Sequence, residues 1–168
     1  VLGVSAQCIV MSKASTELAT YAPVSGGSGT IYSMGPAVQE AALDLRAKLL
    51  KCAAQELNAA EAELEINDNG VFVSARPEES RSFQKLYQLG TDIFTAKYTP
   101  FIGQGSVRPR KGAPCFAASV AEVAVDPETG QVTINKIVTA HDVGAILNPL
   151  SHQGQIEGGM LQGLGYAL

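Results

Sequence analysis

The sequence predicts an α+β fold on three observations. Val38, Ala41, Ala42, Leu45, Leu49, Cys52 and Ala53 recur with the 3.6-residue period of one long amphipathic helix. Two pairs of apolar segments are joined by turn chemistry, Asn67-Asp68-Asn69-Gly70 and Asp126-Pro127-Glu128-Thr129-Gly130, the pattern of antiparallel hairpins. The chain then returns to helical period, with Ile156, Met160, Leu164 and Leu168 four residues apart and Leu161 beside them.

Taken in order, residues 4–11 hold enough apolar side chains for a strand, and a loop of small residues follows to about residue 29. Gly35-Pro36 puts proline where a helix's first turn tolerates it, and the stripe carries that helix to about residue 57. Leu64-Glu65-Ile66 and Val71-Phe72-Val73 flank the Asn-Gly signal of a short hairpin. Residues 82–89 read as a short helix, and residues 90–114 as a long loop with glycine and proline. Residues 117–125 and 132–141 make a second, longer hairpin before the glycine-rich helix. No internal repeat is present.

Composition narrows the function classes. The 168 residues, 46% hydrophobic with 17 glycines, suffice for a single core, so general disorder is excluded. A net charge of −4 argues against a nucleic-acid or acidic-membrane binder, and the short basic run Arg108, Arg110, Lys111 reads as a solvated loop. No apolar run reaches the roughly 18 residues of a spanning helix. Cys8, Cys52 and Cys115 share no CxxC spacing, so no zinc or iron–sulfur site is encoded; they read as buried thiols in a reducing, cytoplasmic compartment. His141 and His152, without a third ligand, make no metal site.

Chemistry is concentrated in two glycine-rich segments. In Ser25-Gly26-Gly27-Ser28-Gly29-Thr30 the glycines let backbone amides approach an anion while hydroxyls donate beside them, which suits a phosphate or pyrophosphate; the same composition also serves flexible connections. Near the end, Gly158, Gly159, Gly163 and Gly165 fall inside a helical pattern. Each helix-interior glycine costs about 1 kcal/mol relative to alanine, so a close neighbour must justify them. Gln155 and Gln162 supply the polar groups there, while Asp142 and Asn148 also suit loop capping.

The series Asp142-Val143-Gly144, Asn148-Pro149 and Gly154-Gln155-Ile156-Glu157-Gly158-Gly159 resembles the molybdenum-binding large subunit of the xanthine dehydrogenase and aldehyde oxidase family, the molybdenum hydroxylases. The resemblance extends through the Glu122 to Gly130 hairpin turn and, more loosely, to Pro23-Val24-Ser25-Gly26-Gly27-Ser28. It implies a piece of a larger molybdopterin-binding domain, residues 1–168 being one fragment truncated at both ends. It implies that Gln155 hydrogen-bonds the pterin, that Ser25, Gly26, Gly27 and Ser28 hold its phosphate, and that Asn148 belongs to the same cofactor site. The cofactor would be molybdopterin, bare or as the cytosine dinucleotide. Relatives commonly carry arginine where this chain has Gly29, so the resemblance implies that one cationic phosphate contact is either missing or supplied from elsewhere.

The parent enzyme implied by the resemblance hydroxylates an aldehyde or N-heterocycle with oxygen from water. It passes electrons to iron–sulfur clusters and FAD on other subunits or domains. The partners are therefore the rest of the large subunit, those redox modules, a small-molecule substrate and a second copy in a homodimer. The family's catalytic glutamate lies in a Gly-x-Gly-Glu segment not found here, so no catalytic and no metal-ligating residue is expected and the isolated piece should be inactive. Glu157 reads as structural, and a Cys115–His141 nucleophilic pair has no local motif behind it. Two other readings stay open: a non-catalytic structural or subunit-interaction domain, and a family member reducing an aromatic acyl thioester.

Overall fold

The computed structural model describes residues 1–12, 15–17, 19–22, 24–92, 94, 96–107 and 114–168. The chain divides into two units, Val1–Pro109 and Arg110–Leu168, and each is taken by itself. The architecture is the expected mixture of helices and antiparallel sheets.

The first unit is built on helix α1, Thr30–Leu57, which ends on Asn58 in the left-handed conformation (φ 51°, ψ 47°), a common helix stop. The C-terminal half of its apolar stripe is the buried half: Leu49, Cys52 and Ala53 pack with Leu64, Ile66, Val71, Val73 and Leu86 into one core. The helix begins well before the expected first turn, and Pro36 falls inside it. An interior proline lacks the N–H of its helical bond, which is why the sequence signal suggested a later start. Ser33 donates its hydroxyl to the Gly29 carbonyl at 2.9 Å in the turn before that proline.

Strands β1, Leu64–Asn67, and β2, Gly70–Val73, form the expected hairpin, pairing Leu64 with Val73 and Asn67 with Gly70. Alternate residues of β1 and most of β2 are buried. Gly70 is required by a close approach: at φ 149° a Cβ would lie 2.1 Å from the Arg81 carbonyl oxygen of the neighbouring strand. That neighbour, β3 (Arg76–Ser82), has no counterpart in the sequence reading. Its Arg-Pro-Glu-Glu-Ser-Arg-Ser carries no apolar alternation because it is an exposed edge, where charges and proline are expected. Arg81 donates to the Glu56 carbonyl at 3.1 Å and so ties this edge to the end of α1. Ser82 then caps α2, Phe83–Thr91, by accepting from the Lys85 amide, and Leu86 reaches the core.

The strand expected over residues 4–11 does not form. Ala6–Cys8 is one turn of 3-10 helix, and the Ser5 amide donates to the Asp68 carboxylate. Val4 is half-buried against the core, so the apolar content is used in packing without a ladder. The thiols also differ from expectation: all three are free, but only Cys52 is buried, while Cys8 and Cys115 are exposed.

Residues 101–106 form a strap along α1. Lys48 donates to the Ile102 carbonyl at 2.8 Å, the Gln104 amide donates to Asp44 at 2.9 Å, and the Ser106 amide to Glu40 at 3.3 Å. Glycine lets the two backbones meet: a Cβ on Gly105 would sit 2.1 Å from the Ala37 carbonyl oxygen. The basic run at residues 108, 110 and 111 lies outside the described residues.

The second unit comprises β4, Phe116–Val125, antiparallel to β5, Val132–Asp142, followed by α3, Pro149–Ala167. The turn is closed by Asp126, whose carboxylate accepts from the Glu128 amide at 2.9 Å and the Thr129 hydroxyl at 2.8 Å. None of residues 114–168 is buried; Phe116 is 69% and Val120 71% exposed. A lone two-stranded ribbon is marginal in water.

Two outcomes test this packing. Leu86→Ala should cost about 2–5 kcal/mol, the usual range for emptying a fully buried leucine site, as a lower midpoint in chemical denaturation; a loss typical of a surface site would contradict the core. Hydrogen bonds from Lys48 and the Gln104 amide hold Asp44 below the ordinary 3.8. A carboxyl depressed in the fold stabilises it above the unfolded value, and that contribution is lost as pH falls through the folded one. The Gln104 amide resonance should therefore titrate with a midpoint below 3.8, and a midpoint above it would show the strap is not held by Asp44.

Candidate functional site

In the first unit, Ser25, Gly26, Gly27 and Ser28 lie in an exposed turn directly before α1. The Gly29 amide donates to the Gly26 carbonyl at 3.1 Å, and Gly27 (φ 58°) and Ser28 (φ 55°) are both left-handed. For serine that conformation costs roughly 1–2 kcal/mol. Pro23, at the head of the motif, lies outside the described residues. Gly29 is the N-cap of α1 and has no side chain to cap it, so no N-cap side chain covers the positive end of a 28-residue helix behind the turn. A left-handed glycine turn leading into a helix N-terminus is a general anion-binding arrangement. Gly29 itself is not sterically required, since a Cβ there would meet only the Gly26 carbonyl oxygen at 3.5 Å.

In the second unit, the segment after β5 is shaped by small caps. The Asp142 carboxylate accepts from the Gly144 amide at 3.4 Å, and Gly144 is left-handed (φ 71°). Asn148 is the N-cap of α3: its side-chain oxygen accepts from the Ser151 amide at 3.0 Å, with Pro149 opening the helix. Asn148 thus has the capping geometry that the sequence left open for it. Gln155 is exposed on α3.

The helix starts at Pro149, earlier than its apolar repeat, and it has two unlike sides. His152, Ile156, Met160 and Leu164 are its half-buried line. Beyond their own helix backbone, Gly154, Gly158, Gly159, Gly163 and Gly165 have no atom of the described residues within 4 Å of where a Cβ would stand. Glu157 accepts from Gln153 at 2.7 Å, which gives it a local structural role. His141 meets the Thr139 hydroxyl at 2.9 Å, and Thr139 meets Ser119 at 2.9 Å, so its ring belongs to a ladder of polar side chains across the β4–β5 pair. Cys115 joins no such arrangement. Among the described residues, no group of three or more His, Cys, Asp or Glu could hold a metal ion, and no helix is long and apolar enough to cross a membrane.

Residues 1–168 match the family described as the molybdopterin cofactor-binding domain, and the chain belongs to that family. It is 34% identical over 164 residues to the xanthine dehydrogenase molybdenum-binding subunit of Escherichia coli O157:H7, covering 95% of this chain and 21% of that subunit. It is 27% identical over 173 residues to the nicotine 6-hydroxylase large subunit of Paenarthrobacter nicotinovorans, covering 100% of this chain and 21% of the relative. The chain thus spans about a fifth of the length of these relatives. Its fold is shared with quinoline 2-oxidoreductase from Pseudomonas putida 86 at a TM-score of 0.71 and 24% identity, over 94% of this chain and 20% of the other.

The residues present fit a pterin cofactor bearing phosphate. The α3 glycines are demanded by neither left-handed backbone nor any contact within the described residues, so their cost of about 1 kcal/mol each is offset by nothing among those residues. They leave room for an outside group against a helix that carries carboxamides, able both to donate and to accept. Asn148→Ala should destabilise α3 by about 1 kcal/mol in thermal melting of the longer parent protein, whereas Asn148→Ser should melt as the unsubstituted protein does. Full stability with alanine would show that the cap geometry contributes nothing.

Proposed function

We propose that residues 1–168 are part of the large subunit of a molybdenum hydroxylase and hold its molybdopterin. The observation that carries this reading is the helix of five open glycines beside Gln155 in a chain of the cofactor-binding family. The left-handed turn of Ser25, Gly26, Gly27 and Ser28 binds the phosphate through backbone amides and hydroxyls, with the α1 N-terminus adding positive potential. Gln155 hydrogen-bonds the pterin, orienting it without covalent chemistry. Asn148 fixes the start of the helix that presents Gln155 and borders the same site.

The cofactor, when bound, supplies the redox centre at which an aldehyde or N-heterocycle is oxidised with oxygen from water. The contribution of this chain is positioning and electrostatics. It carries no catalytic residue, and alone it is inactive. The cytosine dinucleotide form suits the turn, because a second phosphate would extend the anion the amides receive. Iron–sulfur and FAD modules on other subunits or domains take the electrons, in a cytoplasmic assembly that includes a homodimer. The exposed apolar side chains of the β4–β5 pair, with no buried residue among the described residues of its unit, support contact with further polypeptide of the parent.

The test is molybdenum and pterin analysis of the full-length parent purified from its native host, beside Gln155→Ala and Ser28→Ala. Both contents should be stoichiometric in the parent and lower in each variant. A properly matured parent containing neither would remove this reading and leave a structural, subunit-interaction domain.

A further inference from the structure

Helix α3 is continuous from Pro149 to Ala167, so positions on it can be compared by helical phase. Gln155 and Gln162 are seven residues apart, two turns less about 20°, and their Cα atoms are separated by about 10.5 Å along the axis. Both are exposed. Gly158 and Gly159 lie between them along the axis and about 50° to either side of the line joining them, with open space where each Cβ would be. The half-buried line of His152, Ile156, Met160 and Leu164 is centred about 130° away. Glu157, bonded to Gln153, also stands off this line. The result is two carboxamides at the ends of a strip of bare helix backbone.

Building on the proposed cofactor site, we infer that Gln162 is a second cofactor-binding residue, reaching the same bound molecule as Gln155 but nearly two turns further along it. The pterin cofactor is long and carries donors and acceptors on its ring system, and a carboxamide can satisfy either. A group resting on the Gly158 and Gly159 backbone lies between the two carboxamides, where no described residue comes within 4 Å of either Cβ position. The bland role for an exposed glutamine, solvation of the helix surface, leaves the bare strip between the two unexplained.

The experiment uses the full-length parent. Gln162→Met keeps the length and helix preference of the side chain and removes both polar atoms; Gln162→Ala removes the bulk as well. Each is compared with Gln155→Ala for the rate of molybdenum and pterin loss on dialysis and for the melting temperature of the cofactor-free protein. Gln162→Met and Gln162→Ala should both lose cofactor roughly five- to tenfold faster, the effect of one hydrogen bond, with the cofactor-free melting temperature unchanged. Retention by Gln162→Met with loss by Gln162→Ala would mean packing alone and overturn the inference, as would a lowered cofactor-free melting temperature in both. Normal retention in both, with fast loss in Gln155→Ala, would overturn it while leaving the cofactor reading intact. Normal retention in all three would overturn both.

Discussion

Burial of one side of α1 is the interaction on which the first unit depends. Cys52 and Ala53, with Leu49, are closed over by Leu64, Ile66, Val71 and Val73 of the hairpin and by Leu86 of α2. Each fully buried aliphatic side chain contributes about 1.5–3 kcal/mol, more than any exposed ion pair in the unit can. Burial also pushes the Cys52 thiol up, with Glu56 adding to it, so the thiol is a packing group. The α1 end away from this core follows directly on the glycine turn at Ser25, Gly26, Gly27 and Ser28, and the Glu40–Asp44–Lys48 side carries the strap.

The second unit obeys the opposite economy. Its ribbon and helix are internally regular, with caps at Asn148 and a locked turn at Asp126, yet they bury nothing. Local hydrogen bonding fixes the shape, and stabilisation must come from what lies against it. Helix-interior glycines are the sharpest sign, since they weaken the helix and give nothing to its own unit. A surface of this kind leaves room for a flat or backbone-like neighbour at close range.

Much of this was legible in the sequence because periodicity and turn chemistry are local. The stripe ending at Cys52 and Ala53 located the end of α1, and the two turn signals located both hairpins. What was missed was set by context. Residues 76–82 pair as an edge strand although no side-chain pattern marks them, since only backbone groups and Gly70 make the pairing possible. Residues 4–11 have strand-like composition, but no edge pairs with them, and Ser5 is held by Asp68 instead. Pro36 lies within α1, against the rule that places proline in the first turn. The two glycine segments proposed as the site were visible as motifs, whereas the left-handed Ser28 and the capping bond of Asn148 required coordinates. Cys8 and Cys115 were misjudged, and Cys52 was not, because burial of a single small side chain follows from tertiary packing and leaves no local trace.

The bare side of α3 is the surface proposed to receive the pterin cofactor. The most direct measurement is a crystal structure of the cofactor-loaded parent protein. The account predicts the Gln155 carboxamide at hydrogen-bond distance, about 3 Å, from a pterin nitrogen or oxygen, with the cofactor against Gly158 and Gly159. A helix whose glycine side is covered only by protein, with the pterin held elsewhere, would contradict it.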